Sequence, residues 1–467
     1  MYMQVRSHYL LAVAALLLGL FGFMTQGSFA QSPAPGNGQP SQAAAVLFEN
    51  VRIFDGVSDT LTAPSNLLVV GNKIQAIDTR PLPIPADLGV TRISGTGRVL
   101  MPGLIDVHTH LFMETSTQED LAAATTAPEG LFQRAQENAT AMVLRGFTSV
   151  RDLAGPVFDL KRAIDSGAVV GPRIWPSGAM ISQTSGHGDF RELSELPRTP
   201  TSALSLAEQF GVGAIADGAD EVLRRTREQL MRGASQIKLA AGGGVASAHD
   251  PLDVSQYTEA ELKAAVDAAA DWNTYVAVHA YTPRSIQKAI RAGVKSIEHG
   301  QLIDEETARL IAENDVWLSL QPFLDDEDAN PYPEGSENRA KQLLVSAGTD
   351  NAYNLAKKYN LKTAWGTDNL FNPAGSARQG AKLAKLVRWY SPAEVLRMAT
   401  STNASLLALS GPRNPYPGKL GVVEEGALAD LLLVNGNPLE NIRLIENPEA
   451  NFLVIMKNGV IYKNQLG

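Results

Sequence analysis

Eight short apolar runs, separated mostly by segments with helical patterning, fill the middle of this 467-residue chain. Alternation of this kind is typical of parallel strands joined by helices. The runs span residues 103–110, 147–153, 172–178, 235–241, 275–281, 294–300, 316–322 and 362–368. Eight such units predict an α/β fold, a (β/α)8 TIM barrel whose active site lies at the carboxyl ends of the strands. A doubly wound open sheet is the alternative, but it would require a glycine-rich phosphate loop after the first strand, and the sequence has none there.

The two ends of the chain have a different pattern from the middle. Residues 45–100 and 412–467 contain short β-branched and apolar runs with strong hairpin signals. The hairpin signals are Gly71-Asn72 and Asn458-Gly459. Neither segment is long enough to bury a sheet by itself. We therefore expect both to form one small β-sandwich domain beside the barrel domain, residues 101–411.

Residues 1–30 have the pattern of a secretory signal peptide, with one cation near the start, an apolar segment at 10–24 and small residues around Ala30. A membrane anchor is the alternative, but this apolar segment is shorter than the roughly 20 residues needed to span a bilayer. We expect cleavage after Ala30 and a secreted or periplasmic protein of Gram-negative type, without a membrane span. Residues 31–44 are expected to be a flexible lead-in.

Composition narrows the classes of partner and ligand. The formal net charge of −9 and the lack of a long basic run argue against nucleic acid as a partner. A small neutral or weakly charged substrate is expected instead. The chain has no cysteine, which excludes disulfides, thiolate ligands and a cysteine nucleophile. Any metal ion must therefore be bound through nitrogen and oxygen.

Metal-binding residue types recur at the ends of the predicted strands. His108 and His110 end the first strand, where residues two apart point the same way. An isolated pair of this kind is as often a core or surface feature as a metal site, but further candidates occupy matching positions in later strands. They are Lys238, His279, His299 and Asp368. All strand ends of a closed barrel face one mouth, so the sequence predicts a metal site there.

Taken together, the motifs at these positions resemble those of metal-dependent hydrolases of the amidohydrolase superfamily. They are VHTH at 107–110, IK at 237–238, VAVHA at 276–280, IEHG at 297–300 and GTDN at 366–369, with SPAEVLRMATSTNASLLAL and GVVEEGALADLLLVNGNPL nearer the C-terminus. The resemblance covers nearly all of the chain after residue 45. It implies a binuclear site, most often of zinc. The implied ligands are His108, His110 and Asp368 for one metal, His279 and His299 for the other, and Lys238 as a bridging carbamate.

Lys238 requires carboxylation for this role. An ammonium has three donors and no acceptor and would repel two dications, whereas N6-carboxylated lysine can give one oxygen to each metal. Two metals roughly 3.5 to 4 Å apart lower the pKa of a shared water to about 7, and this bridging hydroxide is the expected nucleophile. Asp368 is expected to accept its proton and pass it to the departing amine. A structural lysine at position 238 is the alternative.

Substrate recognition is expected from loops at the barrel mouth. Glycine-rich stretches follow strands three and four, at 182–189 and 240–250. Three side chains on or near these loops can donate a hydrogen bond to a carboxylate or an oxyanion. They are His187, His249 and Tyr281. Two of them, His187 and Tyr281, are equally compatible with ordinary loop residues, and for His249 the ordinary loop residue is the favoured interpretation. Arg151 and Asp152, after strand two, are interpreted as a structural ion pair.

The SGHGD loop and the HAY sequence look most like one branch of the superfamily, which contains prolidase-like dipeptidases, Xaa-Arg or Xaa-Pro carboxypeptidases and amidases that cleave ochratoxin A. This resemblance implies hydrolysis of an amide, as in N-acyl amino acids, whose amine side has a free carboxylate. A cyclic-amide or imidazolone hydrolase is the alternative, but that group typically has a histidine in place of Lys238. A metal-free binding or scaffold homologue would lack ligands that are present here. The relatives also imply a homo-oligomer.

Overall fold

A computed structural model of the chain describes residues 45–84, 89–117, 120, 128–199 and 201–466. The predicted signal peptide, residues 1–30, and the predicted lead-in, residues 31–44, lie outside the described residues. The described part is an α/β structure in which parallel strands alternate with helices, as the sequence predicts. Of the helices described, none combines the length and the apolar character needed to cross a membrane.

One mixed sheet of eight strands contains strands from both ends of the chain. Its strands are β1 (Ala45–Ile53), β2 (Ser65–Val70), β3 (Lys73–Asp78), β4 (Val90–Ser94), β5 (Val99–Pro102), β16 (Leu431–Val434), β17 (Phe452–Lys457) and β18 (Val460–Asn464). Their order is β18-β17-β16-β5-β1-β2-β3, and β4 pairs with β1 in parallel. Because β5 and β16 are antiparallel neighbours, the two chain ends share this sheet.

Both predicted hairpins are confirmed. β2 and β3 are joined through Gly71 and Asn72, and β17 and β18 through Asn458 and Gly459. The positive φ of Asn458 and Gly459 is the backbone conformation that such a tight turn requires. The tips of the two hairpins touch, because Asn72 Nδ2 donates to Asn458 Oδ1 at 3.2 Å. Strands from opposite ends of the sheet order therefore approach each other, and the sheet is curled.

An apolar cluster fills the concave side of this curled sheet. Alternate positions of the strands contribute to it, as expected when successive side chains point to opposite faces. Phe48 and Leu67 come from one half of the sheet, and Leu431, Leu433 and Val454 come from the other; all are fully buried. Both halves of the chain are thus needed to form this core.

Two parallel sheets occupy the middle of the chain. The first contains β6 (Leu104–Thr109), β7 (Phe147–Asp152) and β8 (Arg173–Pro176). The second contains β9 (Met180–Ser182), β10 (Gly213–Ile215), β11 (Ile237–Ala240), β12 (Val276–Ala280), β13 (Ser296–His299), β14 (Trp317–Ser319) and β15 (Thr363–Ala364), in the order β10-β9-β11-β12-β13-β14-β15. Each of the eight predicted runs contains one of these strands. β9 and β10 are additional strands of three residues each, outside the predicted runs.

Hydrogen bonds join the two parallel sheets at both ends of the first one. Beside β6, Asp368 N donates to His108 O at 2.8 Å. Beyond β8, Ser235 N, just before β11, donates to Pro176 O at 2.8 Å. The first of these bonds brings the end of β6 next to the segment after β15, and both carry predicted metal ligands.

Helices follow most of the parallel strands and pack against them. They span Pro128–Leu144, Phe158–Asp165, Leu206–Phe210, Ala219–Arg232, Glu259–Asp271, Pro283–Ala292, Glu305–Glu313, Glu337–Lys358, Pro373–Ser376, Gln379–Ala384, Pro392–Arg397, Asn403–Leu407 and Pro448–Asn451. Short 3-10 or π segments lie at Leu193–Glu195, Lys385–Arg388, Met398–Thr402, Ala408–Arg413 and Ile442–Glu446. Thr258 and Glu261 form a capping box that starts one helix. In that helix Leu262 and Ala269 lie on one face and join the main apolar core.

Candidate metal centre

His108 and His110, at the end of β6, face Asp368 from the segment after β15. Their Nε2 atoms lie 3.3 and 3.1 Å from Asp368 Oδ1. One nitrogen or oxygen atom from each of the three residues lies within 4.8 Å of the others. Both histidines are buried, and the Asp368 side chain is 11% exposed. Two imidazoles and a carboxylate at this spacing are a donor set that suits a divalent metal.

Backbone geometry holds Asp368 in this position. A Cβ at Gly366 would come within 2.5 Å of His108 N, so only glycine allows the two segments to approach this closely. Asp368 has a φ of 49° and His299 a φ of 83°, values that residues with a side chain rarely adopt. Conformations of this kind persist where the surrounding structure enforces them, and they cluster at functional sites.

His279 and His299, at the ends of β12 and β13, lie beside these residues. The ring centroids of His279 and His299 are 4.4 Å apart, and those of His108 and His299 are 5.0 Å apart. Lys238, in β11, is 2% exposed. The structure brings all six predicted metal ligands to the wall of one cavity.

Three of these histidines have a ring nitrogen within 3.1 Å of an oxygen that does not belong to a predicted metal ligand. His108 Nδ1 lies 3.0 Å from Glu298 Oε2, His299 Nδ1 lies 2.8 Å from Gln321 Oε1, and His279 Nε2 lies 3.1 Å from the Gly243 carbonyl oxygen. Each such nitrogen can donate its proton, so the other nitrogen of the ring keeps its lone pair. This arrangement is typical of metal-binding histidines.

Burial keeps these histidines neutral. Desolvation lowers the pKa of His108 to about 4 and lowers the pKa of His279 and of His299 well below its usual range. Burial by itself raises the pKa of Asp368, but its interactions with His108 and His110 hold that pKa below its usual value. Near neutral pH the site therefore presents imidazole lone pairs and a carboxylate, the protonation states that bind metal ions.

Lys238 is also shifted towards its neutral form. Burial lowers the pKa of its amine to about 8. A neutral amine is the form that can react with carbon dioxide to give a carbamate. The donors present are nitrogen and oxygen only, and they fit divalent metals such as zinc.

Two of the three predicted substrate-binding residues lie at the cavity. The ring of His187 stacks on that of His279, with centroids 3.9 Å apart, and the ring of Tyr281 lies 4.9 Å from that of His299. Both line the cavity. His249 is exposed on its loop and is not among the lining residues. The structure therefore does not bring His249 to the other candidate residues.

Neighbouring side chains fix the position of His187. Its Nδ1 lies 3.0 Å from Asp250 Oδ2 and 2.6 Å from Ser247 Oγ. Its backbone N–H donates to Gln256 Oε1 at 2.9 Å. A Cβ at Gly244 would lie 2.1 Å from His187 Nδ1, so the ring depends on glycine at that position. Because Nδ1 is engaged, Nε2 is the ring nitrogen left to meet a ligand.

Arg151 and Asp152 do not form the predicted ion pair. Neighbouring residues of a strand point to opposite faces, and Arg151 pairs instead with Glu298 at 2.8 Å, with both side chains fully buried. Asp152 Oδ2 accepts from Leu111 N at 2.8 Å. Glu298 was not singled out from the sequence, although a carboxylate beside His299 in a buried strand signals a buried partner.

The cavity in front of these residues is mainly apolar. Its apolar wall includes Met113, Met180, Val212, Val245, Phe323 and Leu324. Its polar lining includes two further lysines, Lys382 and Lys385, and two aspartates, Asp326 and Asp328. An apolar pocket with a few converging polar groups is typical of a small-molecule site.

Known proteins are similar to this chain in sequence and in structure. The profile of the amidohydrolase family matches residues 99–463. An ochratoxinase of Aspergillus niger is 34% identical over 404 residues, which cover 85% of this chain and 82% of the relative.

Solved structures of a prolidase and of a Xaa-Pro dipeptidase are also similar to this chain. A prolidase complexed with N-methylphosphonate-L-proline has a TM-score of 0.81 and 33% identity, covering 90% of this chain and all of that one. A Xaa-Pro dipeptidase with bound methionine has a TM-score of 0.75 and 29% identity, covering 90% of this chain and all of that one. The chain belongs to the amidohydrolase family and is a hydrolase that acts on carbon–nitrogen bonds.

Proposed function

We propose that this protein is a binuclear, zinc-dependent amidase that cleaves the amide bond next to a free carboxylate. N-acyl amino acids, dipeptides and ochratoxin A are the substrates of this kind. The observation that carries the proposal is that four histidines, an aspartate and a lysine line one buried cavity. Such a donor set in an apolar pocket is suited to metal-assisted hydrolysis.

Two zinc ions per chain are proposed. His108, His110 and Asp368 would hold one ion, His279 and His299 the other, and N6-carboxylated Lys238 would bridge them. The lowered pKa of Lys238 supports this assignment, because carbamate formation uses the neutral amine. When bound, the ions would supply a Lewis acid for the substrate carbonyl and hydroxide near neutral pH.

Asp368 is the proposed proton carrier. Its lowered pKa keeps it a carboxylate, and its Oδ1 already lies within 3.3 Å of two histidine nitrogens. In this position it can accept a proton as the carbonyl is attacked and release that proton to the departing amine nitrogen. The enforced backbone conformation keeps the carboxylate in place for both transfers.

His187 and Tyr281 are the proposed contacts to the substrate's reacting amide. The Asp250 contact leaves His187 Nε2 to meet the substrate. Burial raises the pKa of Tyr281 well above its usual range, so its hydroxyl stays protonated and can donate to a developing oxyanion.

The apolar wall supports substrates with an aliphatic or aromatic group. Its methionine, valine, leucine and phenylalanine side chains can desolvate such a group. The similar proteins are named as an ochratoxinase, a prolidase and a Xaa-Pro dipeptidase. These names agree with the proposed class of amide.

The proposal extends to the domain organisation. Residues 101–411 would form a closed (β/α)8 barrel, and residues 45–100 with 412–467 a β sandwich beside it. Hydrogen bonds that join the two parallel sheets support the barrel. The curled sheet with a shared apolar cluster supports the sandwich. Assembly into a homo-oligomer remains part of the proposal.

Metal analysis of the purified protein tests the proposed centre. We expect close to two zinc ions per chain in the wild type. Lys238→Ala should lose metal and activity, with partial rescue of both by a short carboxylic acid, because the acid can replace the carbamate oxygens. Lys263→Ala, on the surface, is the matched control and should behave as wild type. Full activity in Lys238→Ala would remove the binuclear proposal.

A substrate panel tests the proposed reaction. It contains N-acyl-phenylalanine, Xaa-Pro and Xaa-Arg dipeptides and ochratoxin A. We expect hydrolysis of at least one of these amides. Turnover of hydantoins or imidazolones with none of the amides would favour the cyclic-amide alternative over an amidase.

A further inference from the structure

Two lysines besides Lys238 line the cavity, and they differ in their partners. Lys385 Nζ lies 2.6 Å from Asp326 and 2.5 Å from Asp328, so its charge is neutralised. Lys382 Nζ contacts the side-chain oxygen of Asn369. In the part of the chain that the structure describes, no carboxylate forms an ion pair with Lys382.

Lys382 is therefore a buried cation whose contact is a neutral amide. Its side chain belongs to a residue that is 9% exposed, and burial lowers the pKa of its ammonium. A lysine with a packing role alone usually directs its charge to solvent or to a carboxylate. An ammonium has three donors, and the Asn369 oxygen accepts from one of them. The remaining donors can bind an anion in the cavity.

The location of Lys382 matches the shape of the proposed substrates. Asn369 directly follows Asp368 in the chain, so the Lys382 ammonium lies close to the candidate metal centre. In an N-acyl amino acid, only the amide nitrogen and one carbon separate the scissile carbonyl from the carboxylate. The group that reads the carboxylate must consequently lie close to the group that activates the carbonyl.

The carboxylates near Lys382 leave its ammonium available to bind a substrate carboxylate. Asp328 is held by ion pairs with Arg378 and Lys385. Asp328, Glu114 and Asp368 still attract the Lys382 ammonium at longer range, but among the described residues none of the three forms an ion pair with it. A carboxylate that enters the cavity can therefore pair with Lys382, which has no ion-pair partner among the described residues. Lys385 is already paired with two aspartates.

We propose that Lys382 binds the free carboxylate of the substrate and that Asn369 positions its ammonium. The inference rests on the proposed function and names the group that makes a free carboxylate necessary. An amidated substrate leaves the Lys382 ammonium without an anion, so it should be hydrolysed less efficiently.

The test measures kcat/KM for an N-acyl-phenylalanine and for its carboxamide, by release of the acyl acid. Lys382→Met should lower kcat/KM for the free acid by about 10- to 150-fold, the range for loss of a hydrogen bond to a charged group. The carboxamide should be affected much less. Lys263→Met removes a lysine charge on the surface, away from the cavity, and is the control; it should keep the wild-type preference for the free acid.

Two further measurements cover loss of folding and failure of the wider proposal. If Lys382→Met hydrolyses neither compound, Lys382→Gln, which can still bond to Asn369, replaces it and should also lose the preference. Lys382→Arg keeps the charge and should retain it. A wild type that prefers the free acid, with an equal preference in the Lys382 variants, overturns this inference alone. A wild type that cleaves no amide overturns the proposed function instead.

Discussion

Asp368 combines an enforced backbone conformation with contacts to two candidate metal-binding histidines. Asparagine has nearly the same shape and keeps one oxygen ligand, but it has neither the negative charge nor the ability to accept the proton. We expect Asp368→Asn to lower kcat by about a hundredfold or more, within the range for general acid–base groups. Steady-state kinetics with a saturating N-acyl amino acid provides the measurement.

Two controls separate proton transfer from other effects of this change. Metal content should stay close to that of the wild type if the loss lies in proton transfer. Asp304→Asn makes the same chemical change at a helix N-cap, where aspartate and asparagine are equivalent, and should leave kcat unaltered. An unaltered kcat in Asp368→Asn would assign the residue another role.

For single residues, the sequence predicts the candidate metal ligands but not the groups that orient them. The ligands follow from strand ends, because every strand of a parallel arrangement delivers its last residues to the same side. Glu298, Gln321 and the Gly243 carbonyl touch histidines from other strands and loops. Their roles depend on which strands are neighbours in space, and no local pattern encodes that. For His249 the sequence was misleading: its residue type suits substrate binding, but the side chain is exposed on a loop and does not line the cavity.

At the scale of elements, β7 and β13 are connected by a fully buried ion pair. Both Glu298 carboxylate oxygens lie 2.8 Å from one Arg151 nitrogen. Removal of one partner leaves an uncompensated buried charge. We expect Glu298→Gln to lower the free energy of unfolding by about 3–5 kcal/mol, measured by urea denaturation.

A double variant shows whether loss of the ion pair causes the lower free energy of unfolding. Arg151→Met combined with Glu298→Gln removes both charges, so its loss of stability should be smaller than the sum of the two single losses. A cost below about 1 kcal/mol for Glu298→Gln, the range of exposed ion pairs, would contradict this account.

Element prediction depended on the length of the apolar run around each strand and not on the strand itself, since β14 and β15 have only three and two residues. The eight apolar runs were long enough to predict a strand at each position, and Asn458-Gly459 fixed a hairpin turn through its own conformational preference. β9 and β10 lie outside those runs and were not predicted. The parallel pairing of β1 with β4 and with β5 was equally hidden, because strand direction is set by partners distant in the chain.

For the whole molecule, the N-terminal residues predict export. Expression in a Gram-negative host should give a mature protein whose N-terminal sequence starts at or near Gln31, because the small residues around Ala30 match the pattern of a cleavage site. Edman sequencing or mass spectrometry of the periplasmic fraction measures this. Recovery of intact Met1 in a soluble cytoplasmic pool would contradict it.

The alternation of strands and helices was sufficient to predict the α/β class, since few architectures bury parallel strands on both faces. It did not specify the order of the strands in each sheet. That order is decided by packing across the whole chain, as in the apolar cluster that takes Phe48 from one end and Val454 from the other.

The contact between the two hairpin tips joins residues that lie 386 positions apart in the sequence. A ribosome makes β16, the partner of β5, only after all of the parallel strands. Throughout that time β5 has an unpaired edge, and the apolar cluster lacks half of its side chains. The nascent chain therefore cannot complete this sheet or its apolar cluster until the final strands have been synthesised.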